Sequence, residues 1–324
     1  MEDVAAMSGV SMITVSRVLN TPDKVAVKTR DAVLAAIKKT GYVPNLMAGG
    51  LASNKSRIIG AIVPTIDNSI FADTVRGLSD TLAAQGYQLL LGQSNYDLKT
   101  EESLVATFMG RRVDGLVLTG GTHSVLTTKR LRQGGIPVVQ TWDLPKKPID
   151  MVAGFSNFEA GRAVGQYLLA KGWRKLCFAG GPDDRSVARL EGLRSAVDKV
   201  RGAKLSVEPL PAGASFAGGR KVVASLLQNK SVPEAIFFGN DALAAGALME
   251  CQHRHIAVPS QLAIFGFSDL DVAAAMEPAL TSIRVPTRAM GEVAANMLLA
   301  RLKGEPLEIR MRDLGFELMA RESA

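Results

Sequence analysis

Two cysteines, three histidines and several glycine doublets are the residues of this chain whose types could support chemistry, and their spacing tests each option. A zinc site needs Cys, His or carboxylate ligands at short, regular intervals. His123, His253 and His255 show no such spacing with Cys177, Cys251 or an acid, so no metal is expected. Neither a GxGxxG fingerprint nor a phosphate-binding loop ending in Gly-Lys-Ser/Thr occurs, and Gly120-Gly121 and Gly180-Gly181 read as tight turns after strands. Nothing points to a nucleophile with its base. The expectation is a binding protein with no cofactor and no turnover. Cys177 and Cys251 lie in apolar runs and read as buried free thiols of a reducing compartment.

The first 20 residues carry a positive signal. Val4, Ala5, Val15, Val18 and Leu19 have the spacing of two short helices that share an apolar seam. Gly9 sits at the tight turn between them, where a positive φ is needed, and Ser11 is placed to cap the second helix. That pattern is a helix-turn-helix, whose second helix offers its first turn to a DNA major groove. Charge agrees with it. The chain carries a net +7, and residues 1–57 hold eight bases against four acids, a net +4 in under a fifth of the length.

Behind this segment the elements change. A length of 324 residues suggests two or three units, and 47% hydrophobic with 21% charged residues is an ordinary globular composition. Apolar strand-like runs at 57–64, 88–91, 115–118, 137–140, 176–179, 235–238 and 262–265 alternate with helical stretches at 70–85, 100–111, 158–171, 186–200, 216–228, 241–253 and 288–303. Near-continuous apolar strands fit parallel sheets buried on both faces. The fold class is therefore α/β, with doubly wound parallel sheets in two lobes around a cleft. The first 57 residues instead read as short helices at about 2–8, 12–19 and 28–40, followed by a linker. No leader-like start and no apolar run near the ~18 residues of a membrane span is visible. A cytoplasmic protein without a membrane partner is expected, and a periplasmic-type solute-binding protein remains the alternative.

The spaced residues Val10-Ser11-x-x-Thr14-Val15-Ser16-Arg17-Val18-Leu19-Asn20, Thr29-Arg30 and Gly41-Tyr42-x-Pro44-Asn45 resemble the lac-repressor (LacI/GalR) family of regulators. The resemblance implies that Met12, Ile13 and Arg17 read base edges of double-stranded, pseudo-palindromic operator DNA. Thr14, Ser16 and Asn20 would touch phosphates or brace the helix, and Ser11 and Asn45 complete the set. Arg17 can bond guanine bidentately, while Met12 and Ile13 can pack on thymine methyls. Pro44–Leu51 resembles that family's hinge helix, with Leu51 as a minor-groove wedge. Gly49-Gly50 disfavours a helix by roughly 1 kcal/mol per glycine, so a hinge unfolded without DNA is expected. The implied organisation is a head at 1–44, a hinge at 45–57 and a core at 58–324. One lobe would take about 58–155 and 286–314, the other about 156–285 and 315–324.

Ile59-Gly60-x-x-Val63-Pro64, Phe238-Gly239-Asn240-Asp241-x-x-Ala244-x-Gly246 and Ala263-Ile264-Phe265-Gly266-Phe267-x-Asp269 look like the two-lobed periplasmic-binding-protein type I core of that family. The resemblance places Asn68, Ser69, Phe71, Asp143, Arg185, Arg189, Asn240 and Ser268 at the effector cleft. Ser268 stands where many sugar-binding members carry an aspartate. Two arginines without that carboxylate suit an anion. Val152-x-Gly154-Phe155-x-Asn157-Phe158-Glu159-Ala160, Met276-Glu277-Pro278 and Asp313-Leu314-Gly315-Phe316 resemble the gluconate-operon repressor branch. A sugar acid such as gluconate or 6-phosphogluconate is thereby implied as effector, with a neutral sugar or nucleobase as the alternative. The family further implies a homodimeric repressor.

Overall fold

The structure, a computed structural model, describes the chain except residues 44–54, 67, 68, 214 and 229–231, and gives no side-chain placement for Asn20. Asn45, Gly49, Gly50, Leu51 and Asn68, with the expected hinge helix, therefore lie outside the described residues. The chain divides into two compact units, Met1–Ser56 and Arg57–Ala324.

The first unit is built from α1 (Glu2–Ser8), α2 (Met12–Asn20) and α3 (Val27–Thr40), with a short 3-10 turn at Pro22–Lys24. Val4, Val15, Val18, Val33 and Ala36 are buried at their junction, and Leu19 and Tyr42 close its edge. Gly9 takes a φ of 64° and its N–H donates to the Ala5 carbonyl, which ends α1. Ser11 accepts from the Thr14 N–H at 3.3 Å and starts α2. The turn comes from the backbone freedom of Gly9 and the cap from the Ser11 hydroxyl.

The second unit holds two parallel sheets. The first has the order β11-β5-β4-β3-β1-β2, from β1 (Ile58–Val63), β2 (Gln88–Gln93), β3 (Gly115–Thr119), β4 (Val138–Thr141), β5 (Met151–Gly154) and β11 (Met311–Asp313). Alternate residues point to opposite faces. Val117 and Val139 pack under α4 (Ala72–Ala83) and α12 (Thr287–Lys303). Leu116, Leu118 and Val138 pack under α5 (Leu98–Gly110) and α6 (Val125–Gly134).

The second sheet has the order β7-β6-β8-β9, from β6 (Lys175–Gly180), β7 (Lys204–Pro209), β8 (Ala235–Phe238) and β9 (Ala263–Phe265). Phe178, Phe237 and Phe265 meet α7 (Asn157–Ala170) and α8 (Asp184–Val197) on one side. Cys177, Ile236 and Ile264 meet α9 (Phe216–Gln228) and α10 (Asp241–His253) on the other. Both cysteines are buried and free, and burial pushes each thiol up to about 11, so they fill space and do not react.

The chain passes from the first sheet to the second after β5. It returns after β10 (Ser282–Arg284) to build α12 and β11, then crosses again to β12 (Glu317–Met319), which pairs antiparallel with β10. A short helix, α11, spans Asp271–Ala275. Several elements exceed the sequence expectation. β7 is mostly exposed and reads Lys-Leu-Ser-Val-Glu-Pro, so it lacks an apolar run. β10, β11 and β12 have three residues each, and α6 leaves Val125 and Leu126 in solvent.

Candidate functional sites

On α2 the apolar seam takes Val15 and Val18 inward, which leaves Met12 48% and Ile13 67% exposed. Neither fills the head's core. Arg17 and Ser11 are also exposed, and Thr14 and Ser16 are half-buried. The exposed side of this helix thus presents two apolar side chains in its first turn and a solvated guanidinium, Arg17, in its last, the combination a major-groove reader needs.

The cleft lies between the two sheets of the second unit, at the C-terminal ends of their strands, where open α/β sheets bind ligands. About 500 Å³ of free space lies in it, counting the solvent at its open mouth. Phe71, Tyr96 and Trp142 border it from the first lobe, and Asp183, Arg185, Arg189, Asn240 and Ser268 from the second. Of the expected residues, Phe71, Arg185, Arg189, Asn240 and Ser268 come together here. Ser69 is exposed and does not border the cavity, because the 3-10 turn Ser69–Phe71 points Phe71 inward and Ser69 out. Asp143 stands beside the wall, half-buried, and accepts from Asn157 Nδ2 at 3.3 Å. Burial raises its pKa, opposed by that hydrogen bond and by Arg185.

Arg189 is 8% exposed and held at three points. Its Nε donates to the Arg185 carbonyl at 3.1 Å, its Nη1 donates to the Gly239 carbonyl at 2.8 Å, and its guanidinium lies 4.0 Å from the Phe267 ring centre. Burial pulls it down to about 10, so it is charged at neutral pH. Among the described residues it forms no ion pair with a carboxylate. Asp183 and Asp143 favour its charge without pairing with it, so this buried cation is held directly by carbonyls and a ring face. The backbone beneath it is fixed by Gly161 of α7, where any Cβ would collide with the Arg189 carbonyl.

Arg185 lies one turn earlier on α8. Its guanidinium is flanked by Phe71 at 5.3 Å and Tyr96 at 6.0 Å, and its buried Nε has no hydrogen-bond acceptor among the described residues. Asp183 Oδ1 is 3.4 Å from that Nε but serves the Ser186 N–H as helix cap. Asn240 caps α10 by accepting from the Leu243 N–H at 2.8 Å. The next residue, Asp241, is fully buried and accepts from Ser282 Oγ and the Leu270 N–H, each at 2.7 Å. Burial pushes it up to about 6. It ties the start of α10 to the loop that carries Ser268.

Tyr96, Trp142 and Asp183 were not expected at the site. Asn95, Tyr96, Trp142 and Ser268 all have positive φ, at 54°, 60°, 68° and 107°. Such conformations cost on the order of 1 kcal/mol each, and they gather where strand ends meet the cleft. Asp184 Oδ2 also accepts from the Thr122 N–H at 3.1 Å, a hydrogen bond from one lobe to the other. His123 pairs with Glu101 at 2.8 Å and with Gln140 at 3.1 Å beneath that loop, a structural brace 22 residues apart in sequence.

Residues 1–45 match the bacterial regulatory proteins of the lacI family, and residues 166–324 match the periplasmic binding protein-like domain. A curated relative, the HTH-type transcriptional regulator GntR of Pseudomonas aeruginosa, is 37% identical over 325 residues, covering 100% of this chain and 95% of its own. The chain belongs to the lacI family. The HTH-type transcriptional regulator GntR of Escherichia coli K12 is 35% identical over 98% of this chain and 96% of its own. The crystal structure of a lacI-family transcriptional regulator from Silicibacter pomeroyi superposes with a TM-score of 0.94 at 31% identity, covering 99% of this chain and 98% of that one. This lacI-family protein is a DNA-binding transcriptional repressor, and its relatives are regulators, not enzymes. No described helix is long and apolar enough to cross a membrane.

Proposed function

We propose that this regulator is a cytoplasmic homodimer that represses sugar-acid metabolism genes from a pseudo-palindromic operator and is released by a sugar acid such as gluconate or 6-phosphogluconate. Arg189, buried in the cleft without an ion pair to a carboxylate among the described residues, carries this reading. A planar guanidinium pinned by two carbonyls presents its remaining N–H groups to a carboxylate in fixed geometry. Arg185, Asn240, Ser268 and Phe71 supply further contacts, and Asp143 an acceptor for a hydroxyl. The ligand leaves chemically unchanged.

In the head, residues 1–44, Arg17, Met12 and Ile13 read bases while Ser11, Thr14, Ser16 and Asn20 hold the backbone. Residues 45–57 form the hinge, with Asn45 and Leu51 on the DNA. A ligand spanning both lobes of the core, 58–324, changes the angle between them and so the hinge's ability to fold on DNA. Coupling of about 1–3 kcal/mol would shift operator affinity roughly 5–150-fold.

The test pairs two titrations. Calorimetry of the purified protein against gluconate, 6-phosphogluconate and 2-ketogluconate should show binding, with glucose and hypoxanthine silent. Fluorescence anisotropy should then show salt-sensitive preference for a palindromic duplex over random sequence, weakened by the acid that binds. Heat from the neutral compounds alone would replace the sugar-acid reading. No duplex preference at any salt concentration would defeat the operator model.

A further inference from the structure

The first turn of α8 reaches out of its own lobe at the rim of the cleft. Asp184 Oδ2 accepts from the Thr122 N–H at 3.1 Å, in the loop that follows β3 of the first lobe. The next residue, Arg185, holds its guanidinium 5.3 Å from the Phe71 ring and 6.0 Å from the Tyr96 ring, which follow β1 and β2. Two adjacent residues thus meet three loops of the opposite lobe. Both ends of the hydrogen bond are braced at home. In the first lobe the Gly120 N–H donates to the Thr141 carbonyl at 2.8 Å, and the Gly120 carbonyl accepts from Gln140 Nε2 at 3.4 Å. His123, beside Thr122, is held by Glu101 and Gln140. In the second lobe Asp184 Oδ1 accepts from the Arg185 N–H at 3.0 Å, which orients the carboxylate, and Gly161 and Gly192 seat α8 on α7 with no room for a Cβ. Neither partner can drift after the other, so the bond holds only while the lobes keep this angle. Arg185 borders the cavity and Asp184 does not.

We infer that Asp184 is a positioning residue for the effector site: its bond to the Thr122 N–H latches the two lobes closed and keeps Arg185 seated between the two aromatic rings of the first lobe. The inference deepens the reading of the cleft as an effector site and rests on it. A ligand that touches both lobes binds their closed pairing, so its apparent affinity scales with the fraction of molecules that are closed. Thr122 is exposed, which sets its hydrogen bond at the modest end of the usual range. Loss of one such bond shifts an equilibrium between closed and open lobes by about three- to tenfold.

Asp184→Ala removes the acceptor, whereas Asp184→Asn keeps an oxygen in its place and drops only the charge. Lobe separation is read without ligand, as a spin-label distance between Val125→Cys at the start of α6 and Ala217→Cys at the start of α9, both exposed and one on each lobe. The buried native thiols, pushed up to about 11, stay unlabelled, and an excess of unlabelled full-length chain isolates one distance per molecule. In Asp184→Ala the ratio of open to closed lobes should rise by about three- to tenfold, and Asp184→Asn should restore it. Calorimetric affinity for gluconate should fall in the alanine variant by the factor its closed fraction sets, and recover with asparagine. An unchanged distance distribution in Asp184→Ala overturns the latch. So does a shift shared equally by both variants, which would assign the effect to lost charge at the start of α8, and so does an affinity that ignores the closed fraction. If gluconate gives no heat with the wild type, the sugar-acid reading fails, and the distances alone still decide the latch.

Discussion

The head and the cleft use arginine in opposite ways. Arg17 stands exposed on α2 with its charge in water, whereas Arg189 is 8% exposed, pinned to the Gly239 carbonyl and laid on the Phe267 ring. In the head the cost of removing water is deferred until DNA supplies phosphates and base edges. The side chain keeps its rotamers, so each contact is offset by ordering. In the cleft folding has already met that cost, and a ligand finds fixed donors. The lesson is one of magnitude: a preorganised, desolvated charge should matter more to its ligand than a solvated one matters to DNA.

Arg189→Ala is the strongest attempt to break this contrast. Loss of one partner of a desolvated charge pair costs about 2–5 kcal/mol, so sugar-acid affinity should fall at least about thirtyfold. Operator affinity without ligand should be unchanged by anisotropy. Calorimetric affinity within threefold of wild type would remove Arg189 from the site. Arg189→Lys should recover little, since a point charge cannot serve the Gly239 carbonyl and a carboxylate in one plane.

Gly161→Ala probes the support under the same residue. An added Cβ meets the Arg189 backbone carbonyl, and the reciprocal Gly192 meets Phe158 of α7 in the same way, so α7 and α8 must separate. Overpacking against backbone should cost up to about 3 kcal/mol and lower the melting temperature of the core. Effector affinity should drop as well, because α8 carries both arginines. A stable variant with full affinity would mean that the helices slide freely. For the head, Arg17→Ala should cost roughly 1–3 kcal/mol against the preferred operator and much less against random DNA. An equal loss on both would make Arg17 a phosphate contact.

The two regions also differed in how far they could be read from sequence. The head is local: Gly9, Ser11 and the Val4–Val15–Val18 seam encode turn, cap and core within 20 residues, and these reappear in the structure. In the core, strands with an unbroken apolar run were legible, whereas the buried four-residue β5 (Met151–Gly154), which ends in Ala-Gly, was missed. The edge strand β7 and the three-residue strands β10, β11 and β12 were not legible either, since pairing partners far along the chain define them. A cleft between two lobes was legible from the alternation of strands and helices, but its residues only through resemblance. Its missed members follow the strand-end rule: Tyr96 follows β2, Trp142 follows β4, and Asp183 follows β6. The Thr122–Asp184 bridge joins residues 62 apart and leaves no local trace.

Ser11 gives the smallest expected effect and the finest division between the two regions. Its hydroxyl accepts from the Thr14 N–H at 3.3 Å and lies 3.0 Å from Thr14 Oγ1, while the residue stays exposed at the reading end of α2. Ser11→Ala removes the cap and should cost the head about 1 kcal/mol, whereas Ser11→Asn should restore it. If Ser11 acts only as a cap, operator affinity will follow head stability, and the Asn variant will bind like wild type. If its hydroxyl also donates to a phosphate, Asn will recover the melting temperature but not the full affinity. Thermal melting and anisotropy on the same two variants separate these outcomes. The cleft has no counterpart to this ambiguity in Arg189, whose backbone partners are already engaged and whose remaining donors serve the ligand alone.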